Sequence, residues 1–135
     1  MYIENLNHEE QVAFMKLSRL VLYADGIIAR EEVEFFEHLK RVTGVNETLV
    51  QHNDDPAQLV RVFASRQSRV SALLQLIAMG YVDGNYDETE QKLCTQIGLA
   101  MGFDETELAA FESWVVRQTM LLQEAQSFWT YEEEE

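Results

Sequence analysis

Apolar residues recur along this chain at intervals of three and four, the spacing that gathers side chains on one face of a helix. Val12, Met15, Leu20 and Tyr23 mark a first helix, expected from Asn7 to about Ala24 and ended by Asp25-Gly26. Asn7 reads as its N-cap, with Glu10 three residues on to complete a capping box. Phe35, Leu39 and Val42, widened by Phe36, mark a second helix from about Arg30, stopped at Gly44. A short third helix is expected from Asn46 to Val50. A fourth covers residues 56–65, with Asp55 as cap, Pro56 as first residue, and Leu59, Val60 and Phe63 as its apolar positions. Val70, Leu73, Leu74, Ile77 and Tyr81 define a helix from about Gln67 that ends at Asp83-Gly84. Asp87 caps the next, which carries Leu93, Ile97 and Ala100 and stops at Gly102. Asp104 caps the last, with Leu108, Phe111, Val115 and Leu122. No alternating apolar–polar run is bounded by turns, so the pattern predicts no strand.

The pattern repeats. A shift of 58 positions lays residues 12–50 on 70–108, with identities at Val12/Val70, Tyr23/Tyr81, Asp25/Asp83, Gly26/Gly84, Glu32/Glu90, Gly44/Gly102, Glu47/Glu105 and Thr48/Thr106. Most of these fall at turns and caps. The apolar positions match in character: Phe35, Leu39 and Val42 align with Leu93, Ile97 and Ala100, and Phe36 with Cys94. Two helix–turn–helix units with one apolar face each can bury those faces against one another. The expected fold is therefore an all-α bundle of about six or seven helices from two pseudo-symmetric repeats. Residues 1–131 form its single domain and 132–135 an acidic tail. Phe35, Phe36, Leu39, Leu73, Ile77, Leu93, Cys94, Ile97, Phe111 and Val115 are expected in the core, and Trp114 with them, while Trp129 is left open.

Both copies read Tyr-x-Asp-Gly with a glutamate seven residues after the aspartate, YADGIIAREE and YVDGNYDETE. In this the chain resembles the TerB family of tellurite-resistance-associated proteins, over roughly residues 6–122. The resemblance implies an all-helical bundle, a bacterial stress-response setting, and a divalent cation held by the repeated acidic residues. The matching positions are Asp25, Gly26, Glu32, Asp83, Gly84 and Glu90. Asp87, at the second cap, has Ala29 as its counterpart, so a site using it is one-sided.

Charge narrows the partners. The chain carries 24 Asp and Glu against 10 Lys and Arg, a net −14. The four terminal glutamates supply only four of those surplus charges. Such a surface repels a phosphate backbone and an anionic membrane, so neither nucleic acid nor membrane is expected. Cations and basic protein surfaces fit, and a protein partner is expected without indication of its identity or of oligomeric state. The most apolar stretch, Val70–Val82, contains Gln75 and is shorter than the ~20 residues a bilayer requires. No basic segment followed by an apolar run opens the chain, and the single cysteine, Cys94, excludes an internal disulfide, so a cytoplasmic setting is expected.

The acidic set admits two readings. Asp25, Glu32, Asp83, Asp87 and Glu90 offer hard oxygen ligands that suit Ca²⁺, Mg²⁺ or Mn²⁺. The same residues also suit local structure. Glu32 and Glu90 fall at the third position of their helices, where a carboxylate complements the helix dipole, and the aspartates can accept turn N–H groups. Asp83, Asn85 and Asp87 occupy positions 1, 3 and 5 of an EF-hand loop, but Glu88 stands where that loop needs glycine and Cys94 where it needs glutamate. Cys94 aligns with a phenylalanine and reads as a buried apolar residue. His8, His38 and His52 share no ligand spacing, and no phosphate loop or Ser/His/Asp set occurs, so no enzyme is expected.

Overall fold

The computed structural model describes residues 2–24, 30–45, 55–81 and 86–131. Among these the chain is all-helical, as its periodicity requires. The six α-helices are α1 (His8–Leu22), α2 (Arg30–Thr43), α3 (Pro56–Leu59), α4 (Arg66–Gly80), α5 (Glu88–Ala100) and α6 (Glu105–Tyr131). Two 3₁₀ turns, Tyr2–Asn5 and Val60–Val62, complete the list. The helix expected at 46–50 lies outside the described residues. The fourth helix is shorter than its expected span. It is α-helical only to Leu59 and tightens to a 3₁₀ turn, and Phe63 leaves in an extended conformation.

The helix ends follow from short-range chemistry. Asn7 Oδ1 accepts the Glu10 N–H at 2.8 Å and Glu10 Oε1 accepts the Asn7 N–H at 2.9 Å, the expected capping box. Asp55 caps α3 through the Ala57 N–H, with Pro56 in the first helical position. Asp104 and Glu107 exchange the same pair of bonds as Asn7 and Glu10. Gly44 and Gly102 follow α2 and α5 at φ +67° and +97°, where an L side chain is strained.

α4 lies at the centre. It packs against the N-terminal 3₁₀ turn, α1, α2, α5 and α6. Its sequence allows this, because residues on all sides of it are buried: Leu73, Leu76, Ile77 and Met79, together with Ser68, Ser71 and Gln75. α1 covers α4 with Phe14, Leu17 and Val21, and Leu39 and Ile97 reach the same core from α2 and α5. Of the expected core, Phe36, Leu39, Leu73, Ile77, Cys94, Ile97 and Val115 are buried, while Phe35, Leu93 and Phe111 pack at its edge. Trp114 is a correction. It is 38% exposed and rests edge-on against Tyr2, because its side of α6 meets the N-terminal segment while the neighbouring Val115 turns into the core. Val42 and Tyr23, at the margins of their stripes, are about half exposed.

Glu10 does more than cap. Its side chain is buried, and Oε2 accepts the Ala64 N–H at 3.3 Å, tying the start of α1 to the segment before α4. Glu10→Ala is expected to lose ~1–3 kcal/mol of stability in urea denaturation, since it strands two backbone donors at once. A loss below ~0.5 kcal/mol, the level of an ordinary surface change, would remove Glu10 from that role.

Candidate functional site

Of the acidic turn residues, Asp25 and Asp83 and the side chain of Glu32 lie outside the described residues. The remaining two stand at the start of α5. Asp87 is extended (φ −75°, ψ 171°) and its Oδ1 accepts the Glu90 N–H at 2.8 Å, so this carboxylate serves as the N-cap. Glu90, at the third helical position, is only 2% exposed and turns inward. It reaches the last residue of α4, Gly80, where a Cβ would stand 3.1 Å from Glu90 Oε2 and 2.3 Å from Tyr86 Cδ1. Glycine at 80 is what lets the ring and the carboxylate lie against the helix. Among the described residues, no three His, Cys, Asp or Glu side chains are close enough together to hold a metal ion.

Beneath these lies a polar cluster that the sequence reading did not anticipate. The rings of Tyr81 and Tyr86 meet at a tilt of 47° with centroids 4.7 Å apart, and the Tyr81 hydroxyl donates to Glu112 Oε1 at 3.1 Å. The Tyr86 hydroxyl bonds Cys94, and Gln91 Nε2 donates to the Tyr86 carbonyl. A cavity of about 230 Å³ opens between α4, α5 and α6, lined by Tyr86, Cys94, Thr95, Leu108 and Glu112 among others. Burial dominates the chemistry here. It pushes the Cys94 thiol up to about 12, with Glu90 and Glu112 adding to the shift and the Tyr86 bond opposing it. Tyr81 rises to about 12 through burial and then through Glu112, and Tyr86 rises further through burial and its contact with Cys94. At neutral pH all three groups are therefore held in their protonated forms.

Two surfaces remain. A groove of about 450 Å³ runs between α1 and α3, lined by His8, Glu9, Val12, Lys16, Gln58 and Leu59. The second is α6 itself. Its inward stripe, Leu108, Phe111 and Val115, packs on the body, and Gln118 accepts a hydrogen bond from the Tyr2 hydroxyl. Beyond that point the stripe continues at the same spacing but faces outward. Leu121 is 64% exposed, Leu122 60%, Phe128 65% and Trp129 71%. The signal for this was present in the three–four spacing through residue 129, but spacing alone does not say where the body ends.

Elsewhere on the surface, basic residues are locally matched. Arg30 pairs with Glu34, Lys40 with Glu37, Arg66 with Glu107 and Lys92 with Glu88. No helix is long and apolar enough to cross a membrane among the described residues. No family model, curated protein or solved structure matches this chain.

Proposed function

We propose that this chain is a non-enzymatic binding module that works through an acidic helical surface, in a stress-response setting like that of the TerB proteins it resembles. The observation that carries this reading is the charge imbalance left after local pairing. Among the described residues, Arg30, Lys40, Arg66 and Lys92 are matched by carboxylates on their own or a neighbouring helix, and each such pair is worth little in itself. What the surface offers a partner is therefore the surplus of carboxylates, which attracts a divalent cation or a basic protein face. The protonated state of Cys94, Tyr81 and Tyr86 at neutral pH favours binding over covalent chemistry in the one polar cavity described above. The metal-free alternative is a scaffold that binds basic proteins through the same surface.

Thermal melts in Ca²⁺, Mg²⁺ or Mn²⁺ separate the two. A cation that binds only the folded chain adds RT ln(1 + [L]/Kd), ~2.7 kcal/mol at a hundredfold excess over Kd. Monovalent salt at matched ionic strength reproduces screening without coordination. The increment beyond that control is expected in the wild type and absent from Asp25→Asn with Asp83→Asn. An equal increment in the double variant, or none in the wild type, ends the cation reading and leaves the basic-protein scaffold.

A further inference from the structure

The outer half of α6 has a regularity that its exposure alone does not convey. Four large apolar side chains lie on one face, and they are placed symmetrically about Ala125. Leu121 and Leu122 stand four and three residues before it, Phe128 and Trp129 three and four after. The opposite face carries Gln123, Glu124, Gln126 and Ser127, all exposed. Such a face is complementary to itself when read backwards, which is the requirement of a contact across a two-fold axis.

We propose that this segment pairs, antiparallel, with the same segment of a second copy, crossing at Ala125. In that register Leu122 meets Phe128 of the partner subunit, and Leu121 meets Trp129 of the partner subunit. Each aliphatic side chain faces an aromatic ring, and each such pair occurs twice. The small alanine at the crossing lets the two helices approach to the ~8 Å lower limit of helix packing. A parallel pairing would instead set the two indoles against each other.

Charge and area both point to a second copy. Among the described residues the apolar face holds no charge, so it offers a basic partner no counter-ion, whereas it spares two acidic chains any like charge between those side chains. The four side chains expose roughly 500 Å² of apolar surface per chain, and the pair then buries about 1,000 Å², the lower bound for a specific interface. That predicts a reversible dimer of micromolar affinity, strengthened by salt that screens the repulsion between two chains of net −14.

Sedimentation velocity of the full chain, from about 1 to about 500 μM, spans the affinity expected for an interface of this size. A monomer–dimer equilibrium that tightens in monovalent salt is expected. Leu122→Glu and Trp129→Glu each place a charge in the seam and are expected to weaken it about 30-fold or more, the scale of a central interface residue. Both positions are exposed, so the monomer fold should persist in circular dichroism. Orientation is read by oxidative cross-linking: a mixture of Leu122→Cys and Phe128→Cys chains is expected to link more than either variant alone. A wild type that stays monomeric throughout, a dimer that survives both glutamate substitutions, or single variants that link as well as the mixture would each overturn the antiparallel pair.

Discussion

Leu39→Ala and Ile97→Ala are each expected to lose ~2–5 kcal/mol of stability, most of what a small domain has to lose. The two side chains are 0% and 1% exposed and reach one core from α2 and α5. Truncation removes the transfer energy of three methyl or methylene groups and leaves a cavity that a helix bundle closes only in part. Val42→Ala supplies the contrast. It lies on the same helix as Leu39 but is 49% exposed, so it is expected to stay within ~0.5 kcal/mol of the wild type. Urea midpoints at constant m-value give all three numbers. Losses below ~1 kcal/mol at both core positions, or an equal loss at Val42, would show that the core is elsewhere.

The second large effect concerns Cys94. With its thiol pushed from 9.0 to about 12, the folded chain at pH 8 holds about a thousandfold less thiolate than an unfolded one. Iodoacetamide is accordingly expected to alkylate Cys94 about a thousandfold more slowly in buffer than in denaturant, with burial slowing it further. The same shift makes stability depend on alkali. Below pH 9 neither state has released the proton, and the full contribution is present. Between about pH 9 and 12 the unfolded chain sheds a proton that the folded one keeps, so stability falls as pH rises. Tyr81, raised in the same direction, works with it. A native alkylation rate within tenfold of the denatured rate would place the thiol at the surface.

Helix boundaries were legible because their signals are local. Asn7 with Glu10, Asp55 before Pro56, Asp87 as cap, and the glycines at 44 and 102 all act within one turn of chain, and the structure uses each as read. Leu39 and Ile97 are buried, and Phe35 and Leu93 are half-buried. Less legible was which margin of a stripe is covered, since distant chain decides that. Trp114 and Leu122 share the spacing of Val115, yet only Val115 is buried. The Tyr81–Tyr86–Cys94–Glu112 cluster joins the end of α4 and the residue before the α5 cap to positions inside α5 and α6, so no short window of sequence contains it. Of the acidic residues proposed as ligands, Asp87 could be read as a cap from its place before α5. The inward turn of Glu90 could not, because it depends on the gap left by Gly80 on another helix.

The two oxygens of Glu10 mature on different clocks. Oε1 meets Asn7 three residues away and can do so as soon as the first turn of α1 winds, within helix-nucleation times of under a microsecond. Oε2 meets Ala64, 54 positions along, and must wait for that loop to close and for the chain ahead of α4 to dock. The Ala64 amide thus becomes a clock for assembly. In pulse-labelling exchange during refolding its protection should arrive with the core and not with the helix, dating the moment at which the N-terminal and central segments join.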